Sequence, residues 1–461
     1  MMKSVRVGGG SAGWPDMVDP ALVLAERGDL DYLAFDHLAE LTMAILERQR
    51  VKNPARGYIP DVIPLMRQLL PIWKKNDRRF KMVSNGGGAN PERCAEEVLK
   101  VAKELGLTGM KIGVITGDDI PLERIDELSA QGLKFKNLDT GEEDVGQIRD
   151  KLVAAYVYIG ADRVIEAFDA GADLVIGGRL SDNSLFVGPF MHGLGWKFED
   201  QYWDRIGAGI ITGHLLECGG WSTGICSTQW EKVPEPWNLG FPIAEMDENG
   251  EAVISKAPGT GGLVSEWTLK EHLLYEVHDP HNYIMPDGIA DITSIKLEQI
   301  GENKVKVKKA GEEPRGKPRP DTLKLCLAYA DGYITEYMMV ISAPKALEQA
   351  RRIEHYLHKR LAMTGLKPRE VLISFIGVNS LHGPAAPWPQ YEPNEVGVRI
   401  AFKSDTEEEA AALRREATLC WFAAGVGAAF GSPSTRPVFA LWPTLIPREA
   451  VPTKLQIKEV G

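Results

Sequence analysis

The sequence predicts an α/β protein: a mostly parallel, doubly wound sheet domain over residues 1–284, followed by an α+β domain over residues 285–461 with antiparallel hairpins. Three observations carry this expectation. Five short apolar stretches in the first two fifths of the chain each run straight into a glycine-rich or polar cluster. Segments of helical period separate them. Beyond residue 285 the pattern changes to alternating strands joined by short polar turns.

The first stretch, Ser4–Val7, leads into Gly8-Gly9-Gly10-Ser11-Ala12-Gly13, and the second, Tyr32–Phe35, into Asp36-His37. Between them Pro20–Arg27 carries apolar residues at three-to-four spacing, as does Leu38–Arg50 after the second. Phe80–Val83 runs into Ser84-Asn85-Gly86-Gly87-Gly88-Ala89-Asn90, and Pro91-Glu92 then opens a helix expected to stop at Gly106. Asn can cap that helix, Pro fits its first turn and Glu complements its dipole. Ile112–Ile115 meets Thr116-Gly117-Asp118-Asp119, and Leu174–Ile176 meets Gly177-Gly178-Arg179-Leu180-Ser181-Asp182-Asn183. Helices are expected at Leu122–Gln131 and Gly160–Ala170, each followed by glycine. Strand ends of this kind gather along one edge of a parallel sheet, where α/β proteins bind ligands.

In the second region, Ile292–Gln299 and Lys304–Lys308 alternate around Gly301-Glu302-Asn303. Thr322–Ala330 and Tyr333–Ile341 flank Asp331-Gly332, a strong hairpin signal. A helix over Pro344–Met363 and strands over Val371–Ile376 and Val396–Phe402 follow. Ser404-Asp405-Thr406-Glu407 reads as a capping box opening a helix to about Ala429.

At 461 residues the chain exceeds what one core usually supports, so two domains are expected. Its formal charge of -11 repels a phosphate backbone and argues against a nucleic-acid partner. The five cysteines form no CxxC pair and suggest no disulfide framework. No run approaches the roughly 18 apolar residues of a membrane span, and Met1-Met2-Lys3 lead into a strand without a signal-peptide core, so a cytoplasmic location is expected.

Gly8, Gly10 and Gly13 satisfy G-x-G-x-x-G after a strand, with Asp36 ending the next, the pattern of a Rossmann-like dinucleotide site. Trp14-Pro15 postpones the helix that pyrophosphate binding needs, which favours a ligand loop at Gly10 and Ser11 without a dinucleotide. Asn85, Gly86, Gly87, Gly88 and Asn90 offer backbone N–H groups to an anion or carbonyl oxygen; a permissive strand-to-helix connection is the plain alternative. Arg179 could hold a carboxylate or phosphate beside Ser181 and Asn183, with Asp182 as a base; the alternative is a structural Arg179–Asp182 ion pair. His214, Glu217 and Cys218 share one helix face and could move protons, or be a satisfied histidine beside a surface acid. No third metal ligand is evident there, so no metal site is expected. Asp118-Asp119 could share a proton, hold Mg2+ or cap a helix, and Thr260, Gly261 and Gly262 form a further loop that is either a ligand contact or a hinge.

Together these passages resemble the acyclic terpene utilisation family AtuA. The residues carrying the resemblance are Leu24-Ala25-Glu26-Arg27-Gly28-Asp29-Leu30-Asp31-Tyr32-Leu33 with Asp36, Ser84–Pro91, Thr116-Gly117-Asp118-Asp119, Gly178-Arg179 with Asp182, Gly213–Gly219 and Gly259–Ser265. The resemblance implies a place in the breakdown of branched terpenoid acids as coenzyme A thioesters. It also implies, where longer members carry an extra ferredoxin-like domain, that a separate small subunit could supply it. It brings no catalytic residues with it. The expected function is therefore an enzyme of carboxylic-acid or acyl-CoA catabolism, a lyase or hydratase, with Asp182, His214, Glu217 and Asp36 as proton-moving residues. Coenzyme A enters as part of the substrate and the chain forms a homo-oligomer. A dinucleotide-binding oxidoreductase and a noncatalytic, carboxylase-associated acyl-CoA-binding subunit are the alternatives.

Overall fold

The structure, a computed structural model, describes residues 3–77 and 79–461. Met1 and Met2, part of the leader reading above, lie outside the described residues. Up to Glu217 the chain alternates: β1 (Ser4–Ala12), α1 (Asp19–Arg27), β2 (Tyr32–Asp36), α2 (Thr42–Lys52), α3 (Val62–Lys75), β3 (Lys81–Ser84), α4 (Pro91–Glu104), β4 (Lys111–Thr116), α5 (Leu122–Ala130), β5 (Leu152–Val157), α6 (Asp162–Asp169), β6 (Leu174–Ile176), α7 (Ser184–Leu194) and α8 (Trp203–Glu217). The hairpin β7 (Pro242–Asp247) and β8 (Ala252–Lys256), then α9 (Glu266–Leu274), lead to β9 (Tyr283–Met285), β10 (Gly288–Ala290), β11 (Ile295–Gly301), β12 (Lys304–Lys309) and β13 (Gly316–Lys317). The remaining elements are β14 (Thr322–Ser342), α10 (Ala346–Thr364), β15 (Glu370–Ile376), β16 (Glu395–Ser404), α11 (Glu407–Leu419), β17 (Ala428–Phe430), β18 (Ser434–Pro447) and β19 (Lys454–Glu459).

The chain divides into two compact units. The first comprises residues up to Ala328 with Leu441–Gly461, and the second Tyr329–Ala440. The first unit holds a ten-stranded sheet in the order β11-β12-β8-β7-β1-β2-β3-β6-β4-β19. Its five central strands, β1, β2, β3, β6 and β4, run parallel, and they are the five stretches expected from sequence. Antiparallel strands extend the sheet on both sides. Full burial of residues such as Leu33, Val83, Val114 and Val175 explains why these strands read as apolar runs and not as alternations.

The helices follow from their apolar spacing. In α4, Cys94, Ala95, Val98, Val101 and Ala102 form the buried stripe and Pro91 sits in the first turn. Asn90 precedes it without a side-chain cap, because its amide donates to the carbonyls of Pro54 (3.0 Å) and Arg56 (2.8 Å). Helix α3 escapes sequence reading: Pro71 interrupts the pattern, yet Leu65, Met66, Leu69, Leu70 and Trp73 are buried.

Three expectations differ from the structure. The boundary expected at 284/285 is not where the contacts divide the chain, because the hairpin β11–β12 joins the large sheet through β8 and so belongs to the first unit. Asp331-Gly332 is not a hairpin turn but lies within the continuous strand β14. Its second part pairs with β16, Tyr333 to Ser404 through Ser342 to Glu395. Asp331 there binds Lys403 (2.6 Å) and Arg369 (2.8 Å), while Gly332 takes a φ of 81° close to the Ser404 carbonyl. In the second unit the sheet runs β15-β16-β14-β17, with Ile353, Leu357, Val398, Ile400 and Leu413 in its core. The last helix is capped by Thr406, which accepts from Glu409 N, but it ends at Leu419. Past it the chain reaches the strand β17 instead of continuing to Ala429, with Gly427 at a φ of 91°.

The G-x-G-x-x-G reading also changes. Gly8 and Gly10 lie inside β1, paired with β2, so the turn that would cradle a pyrophosphate is not formed. Gly9 instead lets α8 approach: a Cβ there would collide with the carbonyl oxygen of Leu216. Substituting Gly9→Ala is expected to destabilise the protein by about 1–3 kcal/mol through overpacking, read as a lower midpoint in chemical denaturation. An unchanged midpoint would refute this packing role.

Candidate functional site

The strand ends meet as expected of a parallel sheet, and hydrogen bonds join one cluster to the next. Ser11 Oγ, after the glycines of β1, donates to the Asp36 carbonyl (2.7 Å). Asn85 Nδ2 donates to Asp36 Oδ1 (2.6 Å), and Asn85 Oδ1 accepts from His37 N (2.8 Å). Asp118 Oδ2 accepts the backbone N–H of Arg179 (2.6 Å). This approach requires Gly178, where a Cβ would collide with the Asp118 carboxylate.

Arg179 is fully buried, and its Nη1 donates to Asp182 Oδ1 (2.6 Å) and to the Leu180 carbonyl (2.9 Å). Nη2 reaches Asp182 Oδ2 at 3.3 Å, and the guanidinium lies 4.0 Å from the Tyr158 ring centroid. The expected clamp for a substrate carboxylate is thus filled by Asp182, the ion-pair alternative.

Asp182 and Glu217 line a pocket of about 860 Å³ together with Glu40, Tyr158, Ser181, Glu276, Tyr283 and Lys324. Ile284, Met285, Pro286, Pro320 and Leu323 supply an apolar wall. Asp36 is buried near this carboxylate pair. Burial, then the charges of Asp182 and Glu217, raise its carboxyl well above the ordinary range, against the pull of Arg179 and the Asn85 bond. Glu217 is likewise raised, by burial first and then by Asp182 and Glu276. Glu217 Oε1 lies 2.7 Å from His214 Nδ1, and His214 Nε2 lies 2.9 Å from the His272 carbonyl. Burial lowers His214 to about 4, so the imidazole is neutral near pH 7. Tyr283 Oη stands 3.3 Å from both His214 Nδ1 and Asn183 Oδ1. Asn183 Nδ2 donates to the Ile210 carbonyl (3.0 Å), and burial pushes the Cys218 thiol up.

Other expected residues have different surroundings. Gly86, Gly87 and Gly88 pack against the protein itself: Cβ atoms there would meet Val62 and His37, the Gly177 carbonyl and Pro91, and Leu46 respectively. They connect strand to helix, the plain alternative, and are not among the pocket's lining. Asn90 is committed to the Pro54 and Arg56 carbonyls. Gly10 and Ser11 border a separate cavity of about 20 Å³ with His37 and Asp61. Thr260 Oγ1 donates to the Ala257 carbonyl (2.7 Å), Gly261 N to Asn238 O (2.7 Å) and Gly262 N to Pro234 O (2.8 Å), so that loop is tied to the 234–238 segment. Asp119 pairs with Arg50 at 2.7 Å.

Sequence reasoning did not find Glu40, Tyr158, His272, Glu276, Tyr283 or Lys324. Glu40 follows the second strand end by four residues and was within reach of the strand-end rule; the others arrive from distant segments. Among the described residues, no group of three or more His, Cys, Asp or Glu side chains is placed to hold a metal ion, and no helix is long and apolar enough to cross a membrane.

The family model described as acyclic terpene utilisation family protein AtuA matches residues 5–457. The chain belongs to the AtuA family. No curated protein and no solved structure matches it. The AtuA name assigns the family to acyclic terpene utilisation, and the match spans both compact units of the chain.

The buried acids give this AtuA protein a pH signature. Burial raises Asp118 to about 6 against an ordinary value of 3.8. A carboxyl raised on folding stabilises the fold fully below its unfolded value, and that contribution is lost as pH rises through the folded value. The Asp118 contribution, on the order of 3 kcal/mol, is expected to be lost between pH 4 and pH 7, while buried neutral histidines such as His37 and His214, lowered to about 4, act in the opposite direction over that range. Urea titrations across that range should show the native chain losing stability relative to Asp118→Asn as pH rises. Identical pH profiles for the variant and the native chain would contradict the assignment.

Proposed function

We propose that the chain is an enzyme of branched carboxylic-acid or acyl-CoA catabolism, of the lyase or hydratase class, acting in the pocket headed by Asp182 and Glu217. The observation that carries this reading is the convergence of two carboxyl side chains with different partners on one half-apolar pocket. Asp182 is ion-paired to Arg179, while Glu217 is held toward its protonated form against a neutral histidine. Lyase and hydratase chemistry beside a thioester carbonyl requires one group to accept a proton and another to deliver one. Asp182 held in an ion pair beside a Glu217 whose carboxyl burial raises offers two such groups. Lys324, which lines the same pocket, is a cation suited to an enolate oxygen. The wall of Ile284, Met285, Pro286, Pro320 and Leu323 suits a branched hydrocarbon chain. The family's name in terpene utilisation points to the same substrate class.

The oxidoreductase alternative loses its main support, since the glycine pattern is part of a strand. A noncatalytic acyl-CoA-binding subunit remains the competitor, and turnover separates the two. The purified protein is expected to convert at least one member of a panel of branched saturated, 2,3-unsaturated and 3-hydroxy acyl-CoA thioesters, followed by mass spectrometry. Asp182→Asn should reduce that rate by about a hundredfold or more, while a thermal melt confirms that it folds. Binding of the panel without turnover would establish the subunit reading, and copurified NAD or FAD would restore the oxidoreductase.

A further inference from the structure

The carbonyl contact of His214 fixes one proton on its ring, and burial, which keeps the imidazole neutral, assigns the proton of the short contact to Glu217. A backbone carbonyl only accepts, so His214 Nε2, 2.9 Å from the His272 carbonyl, carries the N–H. In the neutral ring Nδ1 is then a bare lone pair, and it faces Glu217 Oε1 at 2.7 Å. Two acceptors do not sit at that distance without a proton between them. Tyr283 is 3.3 Å from Nδ1 and equally far from Asn183 Oδ1, which can take its hydroxyl proton. The short contact therefore belongs to a protonated Glu217, its hydrogen on Oε1. The other oxygen, Oε2, is buried with no hydrogen-bond partner, on a side chain that lines the pocket. An oxygen in that condition is an acceptor awaiting a donor.

We propose that Glu217 and His214 form a proton relay, with Glu217 Oε1 donating to His214 Nδ1 while Glu217 Oε2 accepts from a hydroxyl of the substrate. This rests on the lyase-or-hydratase reading and selects within it: the substrate is a 3-hydroxyacyl thioester and the reaction is carbon–carbon cleavage. The hydroxyl proton passes to Oε2 as the Oε1 proton passes to Nδ1. The O–H electron pair becomes the new C=O π bond, and the pair of the broken C2–C3 bond remains on the thioester as an enolate. The enolate carbon takes a proton from water, and the resulting hydroxide is neutralised by the proton returned from His214. No oxidant or further reactant is required.

The surrounding charges favour this direction of transfer. Asp36, Asp182, Glu40 and Glu276 stand around the pair, with the Arg179 guanidinium the main opposing charge and His272, Tyr283 and Cys218 as neighbouring titratable groups. An imidazolium formed transiently on His214 is stabilised by the charges of Glu276 and Asp182, which act on it directly. His214 thus acts through Glu217, as a positioning residue that also stores the proton.

Two readouts test the relay. Infrared difference spectra of the native chain against Glu217→Gln at pH 7 should contain the C=O band of a protonated carboxyl; only carboxylate bands would overturn the proposal whatever the substrate. The second readout is binding and turnover of 3-hydroxy-3-methylbutyryl-CoA against 3-methylbutyryl-CoA. Glutamine can donate from its amide to His214 Nδ1 and leave its carbonyl where Oε2 was. Glu217→Gln should therefore keep affinity for the hydroxy thioester within about threefold and keep its preference over the deoxy compound, while turnover to acetone and acetyl-CoA falls about a hundredfold or more. Glu217→Ala should lose the preference. Loss of the preference in Glu217→Gln, with the fold intact, would overturn the hydroxyl site. If the native chain binds neither thioester, the acyl-CoA reading fails and the hydroxyl assignment with it, while the infrared band still decides where the proton lies.

Discussion

The burial of one guanidinium organises the end of the sheet that carries the pocket. Arg179 has no exposed surface, and taking an ion out of water costs several kcal/mol unless its charge and donors are met. Asp182 meets the charge, the Leu180 carbonyl takes a further donor and the Tyr158 ring covers the plane. Asp118 holds the backbone of the same residue. Removing one partner of such a pair would leave an uncompensated buried charge, worth about 3–5 kcal/mol. The arrangement fixes Asp182 at the pocket and brings a positive charge close enough to temper the repulsion among Asp36, Asp182 and Glu217.

That dependence explains several residues that otherwise look like ligand loops. Gly178 is glycine because the Asp118 carboxylate occupies the place of its side chain, and Gly87 because the Gly177 carbonyl does. Asn85 is neither a cap nor a ligand donor: one end of its amide serves Asp36 and the other the His37 N–H. The polar clusters are thus largely satisfied by each other. What they leave open is the small set of groups that face the pocket.

The parallel strands were legible because burial on both faces turns them into apolar runs that stop abruptly at glycine or polar residues, Leu174–Ile176 before Gly177 being the clearest. Asp36, Asp182 and Glu217 were legible for the same reason, as chemistry-bearing side chains at strand ends or at a helix end before Gly219-Gly220. Helix α3 was not, since Pro71 breaks the local signal while tertiary burial of Leu69, Leu70 and Trp73 restores the helix. Asp331-Gly332 misled because a turn dipeptide and a kink within a long strand share one local sequence; the Lys403 and Arg369 contacts that separate them are long-range. Tyr283, His272 and Lys324 reach the site from the segment after residue 260, and nothing in their immediate neighbourhood signals it.

The charge of the pocket also limits how a thioester could enter. Glu40, Glu276 and Asp279 line it and are exposed, against Lys324 as its lining cation. Phosphates of coenzyme A carry full negative charge and gain nothing among these groups, whereas an acyl chain and its thioester carbonyl are neutral. Screening reduces the repulsion beyond about 8 Å at physiological salt but not within the pocket itself. The acyl end would therefore lead, past the apolar wall, and the nucleotide would stay in solvent. On the proposed reading, a protonated Glu217 would serve the same end, because a neutral carboxyl at the head of the pocket could accept a hydroxyl without adding to a negative field that an enolate would have to tolerate.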